Sequence, residues 1–181
     1  PRRAHLGARQ TAMRRLLSPQ WGRRGFTMIE LVVATGIVGL LAAIAIQSIL
    51  RARSTTNEAT AIGNLHALAS VLHMYHSINN VFPSNWQAAM YDDADPDYCS
   101  PSFNVPMTDS LLQGYLYTYS PQPGGCAADC TGYALTANPQ SLGSLGTRAF
   151  FVDQTGRVRH CTGAGPADAT HALVTDPPAA C

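Results

Sequence analysis

An apolar run of 21 residues constrains this chain more than any other feature of its sequence. Residues 26–46 read FTMIELVVATGIVGLLAAIAI and contain a single charged residue, Glu30. At about 1.5 Å per residue, a helix of this length crosses a hydrocarbon layer of roughly 30 Å. Helices buried in a protein core seldom stay apolar on every face. We therefore predict a transmembrane helix.

Charges flank this run unevenly. Residues 1–25 carry seven arginines and no acid, whereas residues 26–181 carry five arginines and eleven acids. The positive-inside rule then places the N-terminus in the cytoplasm and the chain beyond about residue 50 on the other side of the membrane. The acidic balance after residue 25 argues against stable nucleic-acid binding.

A secretory signal peptide is the alternative interpretation of the run. Residues 43–45 read AIA, a match to the A-x-A cleavage pattern, which would leave a mature N-terminus near Ile46. The run is longer than the usual apolar region of a signal peptide, and Glu30 lies near its start. Both features favour a retained membrane helix.

Glu30 is informative because a carboxylate inside a membrane helix costs roughly 2.5–3.5 kcal/mol. The surrounding residues 23–31, RRGFTMIEL, resemble the processing signal of type IV prepilins. In that family a membrane-embedded peptidase cuts after the glycine, here Gly25, and methylates the new N-terminus, here Phe26. The resemblance implies that Glu30 pairs with the N-terminal amine of a neighbouring subunit during filament assembly. Met13 is a candidate initiator, which would leave a short arginine-rich leader.

The helical pattern continues beyond the membrane. Residues 49–65 resemble the long helix of bacterial type IV pilins, and apolar residues recur at helical spacing further along, at Ile62, Leu65, Ala69 and Leu72. We predict a helix from about Thr27 to Ile78, which Asn79, Asn80 and Pro83 end. Many such pilins have a proline where Gln47 stands, so the sequence leaves open whether the helix melts there. Gly36 and Gly39 are its weak points, at about 1 kcal/mol each relative to alanine.

The part beyond the helix is predicted to be a β-sheet head. A long loop over residues 81–110 precedes alternating segments at residues 114–119, 133–137 and 148–160, the last with a turn at 153–156. These predict a four-stranded antiparallel meander lying on the outer half of the helix. The order of these segments also resembles the head of a subgroup of pilins. The fold class is therefore α+β, a long N-terminal helix packed on an antiparallel sheet.

The cysteines are interpreted as structural. Cys126 can pair with Cys130 inside one loop, and Cys161 with Cys181 across the C-terminal segment, although five cysteines allow other arrangements. No activating base for a catalytic cysteine is recognisable, and no nucleophile elbow, phosphate loop or zinc spacing occurs. We predict no enzymatic activity and no cofactor.

Two clusters have part of the pattern of a metal site. His73 and His76 are three residues apart, but the sequence offers no third ligand. Asp93, Asp95 and Asp97 alternate as calcium-loop acids do, yet the glycine and the final glutamate of such a loop are missing. We interpret the acids as a solvated loop and expect no metal.

Four segments follow from these arguments: a leader, residues 1–25; a transmembrane and filament-core segment, 26–50; an outer helix, 51–80; and a head, 81–181. The resemblance implies a structural subunit of a type IV pilus-like filament, for adhesion, motility or DNA uptake. Before assembly it would lie in the bacterial inner membrane, and afterwards on the cell surface. Its partners would be further copies of itself, the prepilin peptidase and an inner-membrane assembly platform.

Two alternatives remain open. One is a pseudopilin of a type II secretion system, which belongs to the same family. The other is an anchored binding module that never polymerises, for which Glu30 would be dispensable and Gly25 uncut. The sequence does not decide between a major and a minor subunit.

Overall fold

A computed structural model describes residues 25–163 and 165–181. The sequence-predicted leader lies almost wholly outside the described residues, which begin at Gly25. The chain divides into two compact units between Leu41 and Ala42. The first contains the start of the helix, and the second contains the rest of the helix and the head.

Helix α1 spans Met28–Asn79, close to the predicted bounds, and continues through Gln47 without a break. It begins after Thr27, a residue type that caps helix N-termini well. At its other end the backbone N–H of Asn80 donates to the carbonyl of His76 at 2.8 Å. Asn80 itself adopts a φ of 58°, the left-handed conformation in which asparagine commonly ends helices.

The head contains one sheet. Within the described residues its strands are β1 (Ser110–Leu112), β2 (Tyr115–Gln122), β3 (Gly132–Pro139), β4 (Arg148–Asp153), β5 (Arg159–Thr162), β6 (Ala172–Leu173) and β7 (Ala179–Ala180). Strands β1 to β6 follow one another in antiparallel order, and β7 pairs in parallel with β5. Strands β2 to β5 correspond to the four predicted from the sequence.

The predicted α+β class is confirmed, but the expectation of four strands is wrong in number. Strands β1, β6 and β7 are two or three residues long, too short for alternation to be recognisable. The segment interpreted as a loop also contains a π-helical turn at Ala88–Asp92 and a 3-10 turn at Pro101–Phe103. Neither turn carries a periodic apolar pattern of its own.

The core of the second unit lies between the outer part of α1 and the inner face of the sheet. The helix contributes one buried stripe, Ser54, Glu58, Ala61, Leu65, Leu68, Ala69 and Leu72. Strand β2 contributes Tyr115, Tyr117 and Tyr119, which alternate with half-buried residues as a pleated strand requires. Of the predicted stripe, Leu65, Ala69 and Leu72 are buried, whereas Ile62 is only partly buried.

A smaller cluster covers part of the outer face of the sheet. Phe151, Ala149 and Cys161 pack there against Ala167 from the segment after β5. The sheet therefore has apolar cover on both faces over β4 and β5.

Candidate functional site

The start of α1 holds the sequence-predicted processing and assembly residues. Gly25 and Phe26 precede the helix, and Phe26 is 88% exposed. Thr27 stands at the N-cap, and Glu30 is the third helical residue. A threonine followed three residues later by a glutamate is the pattern of a capping box.

Glu30 and Thr27 form that capping box. The backbone N–H and the hydroxyl of Thr27 both donate to Oε2 of Glu30 at 2.9 Å. The backbone N–H of Glu30 in turn donates to the Thr27 hydroxyl oxygen at 3.2 Å. These bonds satisfy N–H groups that a helix start leaves without partners. They also fix the carboxylate beside the first turn, next to Phe26.

Apolar side chains surround this carboxylate. Ile29, Val33 and Ile37 line a shallow groove together with Ala34 and Glu30 itself. Every residue from Gly25 to Arg53 is exposed in the single chain. Gly36 and Gly39 have no heavy atom within 4 Å of the position that a Cβ would take.

Exposed apolar surface on this scale indicates a membrane or a protein partner. Of the residues that the structure describes, only α1 forms a helix long and apolar enough to cross a membrane. The apolar helix therefore indicates membrane anchoring.

A second glutamate fixes α1 to the head. Oε1 of Glu58 accepts bonds from the backbone N–H and the hydroxyl of Thr147, each at 2.7 Å. Oε2 of Glu58 forms a salt bridge with Nη2 of Arg148 at 2.8 Å. Burial opposes ionisation of Glu58, but the bonds from Thr147 and Arg148 outweigh it and hold the pKa of the carboxyl below its usual range.

The network continues from Arg148 to His160. Nε2 of His160 lies 2.9 Å from the carbonyl of Asp176, and its Nδ1 lies 3.2 Å from Nη1 of Arg148. A carbonyl accepts and a guanidinium donates. Hence the hydrogen is assigned to Nε2, and Nδ1 is the acceptor. The sequence did not reveal this network. The available signal was the position of Glu58, a charged residue that lies seven residues before Leu65 on the apolar stripe.

The cysteines lie where pairing is possible. Cys126 and Cys130 form one disulfide, and Cys161 and Cys181 form another, the two pairs named from the sequence. Across the described ranges, Cys99 is the one cysteine outside a disulfide, and it is buried. Burial raises the pKa of its thiol to about 11, which disfavours a reactive thiolate.

The other candidate ligands serve packing or line a groove. His76 stacks on Phe82 with ring centroids 4.5 Å apart, and His73 meets the edge of the same ring at 5.9 Å. Asp93, Asp95 and Asp97 border a groove at the end of α1. In the parts of the chain that the structure covers, no three His, Cys, Asp or Glu side chains are grouped as a metal site requires.

A family model matches the N-terminal part of this chain, and several known proteins are similar to parts of it. Residues 22–46 match the model of the prokaryotic N-terminal methylation motif. The Type IV wide pilus major component PilA4 of Thermus thermophilus is 37% identical over 67 residues, 37% of this chain and 50% of that protein. The Type II secretion system core protein G of Pectobacterium carotovorum is 28% identical over 123 residues, 68% of this chain and 72% of the relative. Its counterpart in Pseudomonas aeruginosa is 35% identical over 63 residues, 35% of this chain and 44% of the relative.

The matched motif and these relatives show that the chain is similar to type IV pilus and type II secretion components. Neither kind of relative is described as an enzyme; both are components of larger assemblies. The match spans only half the length of the Thermus pilin. No solved structure matches the chain.

Proposed function

We propose that this chain is a structural subunit of a type IV pilus-like filament, assembled by packing of the N-terminal part of α1. The observation that carries the proposal is the start of α1, where a carboxylate is fixed beside Phe26 on an otherwise apolar, fully exposed surface. Lipid tails are as apolar as neighbouring helices, so transfer from membrane to filament gains little from the hydrophobic effect. Packing and charge pairing must therefore set the register of the copies.

The proposal assigns a role to each residue near the cut. The prepilin peptidase removes residues 1–25 by cleaving after Gly25 and methylates Phe26. The cationic amine of Phe26 in one copy then pairs with Glu30 of its neighbour. Gly36 and Gly39 allow close approach of helices, because they present no side chain. Residues 51–80 and 81–181 remain outside the membrane as outer helix and head.

Mass spectrometry of material sheared from the cell surface tests the proposal. We expect an N-terminus at Phe26 carrying one methyl group. An N-terminus near Ile46 or an uncut leader would contradict it. A variant with Gly25→Leu should accumulate uncut in the membrane fraction, whereas Gly36→Leu, a change further along the helix from the cut, should be cut normally.

The secretion pseudopilin is the second candidate. One observation favours it specifically: the similarity to the Pectobacterium protein extends over 68% of this chain and so includes part of the head. Deleting the gene separates the two functions. Loss of surface filaments supports the pilus, whereas retention of exported proteins inside the cell envelope with unchanged surface filaments supports the secretion role.

A further inference from the structure

A groove of about 630 Å³ lies at the end of α1, within the second unit. Met74, Tyr75 and Ile78 line it from the helix, and Pro96 and Tyr98 line it from the segment after the π-helical turn. The rings of Tyr75 and Tyr98 meet edge to face with centroids 5.5 Å apart. Met74 and Ile78 are 46% and 62% exposed, so the apolar part of the groove is open to a partner.

The rim of this groove is negatively charged. Asp93, Asp95 and Asp97 are exposed there, and none of them forms a salt bridge with another described residue. Burial chiefly, with contributions from Tyr98 and the negative charge of Asp93, raises the pKa of Tyr75. Asp93 and Tyr75 both line the groove. Aromatic rings beside carboxylates suit a guanidinium, which pairs with the acids and stacks on the rings.

The chain itself supplies such a group. It contains no lysine, and its exposed arginines among the described residues are Arg51, Arg53 and Arg157. Arg148 and Arg159 are engaged elsewhere, the first with Glu58 and the second with the carbonyl of His171.

The position of Arg51 on α1 distinguishes it from Arg53. Ile78 follows Arg51 by 27 residues, about 7.5 helical turns, so the two side chains project from opposite sides of the helix. Ile78 follows Arg53 by 25 residues, about seven whole turns, so these two share one side. Parallel copies packed side by side make contacts between opposite faces, a heterologous interface that can propagate. Of the two arginines, only Arg51 projects from the side of α1 that a parallel copy would turn toward its neighbour's groove.

We propose that the groove receives Arg51 of a second copy displaced by about 40 Å along the helix axis, the rise of 27 helical residues. This inference rests on the proposed function, because it requires parallel copies in a filament. It adds a contact between the outer helix of one copy and the end of α1 in another. The contact is independent of Glu30 and of the membrane-spanning surface.

Disulfide trapping in filaments tests the contact. The full chain is expressed with Arg51→Cys and Asp93→Cys together, and the matched control carries Arg53→Cys with Asp93→Cys. All three substituted positions are exposed, and a disulfide requires Cα atoms within roughly 7 Å of each other. After mild oxidation of sheared filaments, we expect a ladder of crosslinked copies from the Arg51 pair. The Arg53 pair should give no more crosslinked product than the parent chain.

The outcomes separate this inference from the proposed function. Filaments that form normally but crosslink equally well with both pairs overturn the Arg51 contact and leave the filament function standing. If neither pair crosslinks, the charge exchange described next decides, because an arginine–aspartate contact can hold its Cα atoms farther apart than a disulfide spans. A band that joins the cysteine introduced at position 93 to a different protein also overturns it. Absence of filaments from the parent chain overturns the proposed function and the contact with it.

A charge exchange provides a second measurement that needs no introduced cysteine. Arg51→Asp should lower the yield of sheared filaments, and adding Asp93→Arg to it should restore part of the yield. Arg53→Asp should leave the yield near that of the parent. Failure of the exchange to restore filaments, with equal losses from Arg51→Asp and Arg53→Asp, contradicts the contact.

Discussion

The two ends of α1 bury their apolar side chains by different means. Between Ser54 and Leu72, seven residues are buried within the chain's own head. Between Met28 and Leu50, every residue of the same helix is exposed. The contrast indicates that the outer part of the helix folds with the sheet, whereas the first part depends on lipid or on a protein partner. Each part contains one glutamate with defined partners, which makes the comparison testable.

Glu30→Ala should produce the largest effect on assembly and none on the head. Under the proposed pairing, loss of the carboxylate leaves the amine of Phe26 in a neighbouring copy without a counter-charge in a low-dielectric environment. We expect processed, membrane-bound protein and an almost complete loss of filaments from sheared fractions. Gln47→Ala, which also removes an exposed polar side chain from α1, is the control. Normal filaments from Glu30→Ala would refute the pairing.

Leu65→Ala should destabilise the head, which Glu30→Ala leaves unchanged. Leu65 is fully buried, and truncation of a buried leucine costs about 3 kcal/mol through lost contacts and a cavity. The matched Leu40→Ala removes a side chain that is 67% exposed and should leave the free energy of unfolding of the head unchanged. Both variants can be compared as processed chains in detergent, with the fluorescence of buried Trp86 as the signal. Equal unfolding curves for the two would contradict the comparison.

Glu58→Gln should destabilise the head by about 2 kcal/mol, because it removes charge-assisted hydrogen bonds. The pKa of Glu58 lies below its usual value of 4.5. Between the folded and unfolded pKa values the unfolded chain binds more protons. The stabilisation is therefore complete above about pH 4.5 and is lost as the pH falls through the folded pKa.

Unfolding curves at a series of pH values measure this dependence. The parent should lose stability below about pH 4.5, and Glu58→Gln should lose less over the same interval. Bonds from Thr170 and His171 also lower the pKa of Asp168. Its protonation at low pH therefore adds a loss of stability that is the same in the parent and in Glu58→Gln. Identical pH profiles would assign the whole acid sensitivity to groups other than Glu58.

Of the paired variants, Gly63→Ala and Gly39→Ala should show the smallest difference in the free energy of unfolding of the head. Neither glycine has a heavy atom within 4 Å of where a Cβ would stand, and alanine is favoured over glycine in helices by about 1 kcal/mol. We expect Gly63→Ala to stabilise the head by up to that amount, since this part of α1 unfolds with the sheet. Gly39→Ala should not change the unfolding of the head. A similar gain from both would mean that α1 unfolds as one unit.

The sequence predicted the helix and the four longer strands because each has enough residues for a period to be recognised. It did not predict β1, β6 and β7, whose pairing depends on neighbouring strands rather than on their own composition. The bounds of α1 could be predicted because Thr27 and Asn80 are local signals. The stripe of tyrosines on β2 was visible as alternation, but their hydroxyl partners were not.

The sequence pointed to candidate site residues only where they lie close together in the chain. Glu30 was identified through the residues next to it, and its bonds with Thr27 span just three positions. Glu58 meets Thr147 and Arg148 about ninety residues later in the chain, so only the folded sheet brings them together. The groove at the end of α1 likewise depends on how residues 93–98 return to the helix, a path that no periodic pattern encodes.

The link between Cys161 and Cys181 has a consequence for proteolysis. It closes a loop with a sequence separation of 20 residues, and the Sγ of Cys181 would lie 3.6 Å from a Cβ placed on Gly163. A single cut by a protease anywhere between these cysteines leaves both fragments covalently joined. The nick would stay invisible on a gel until the sample was reduced, so this segment can be damaged without being shed.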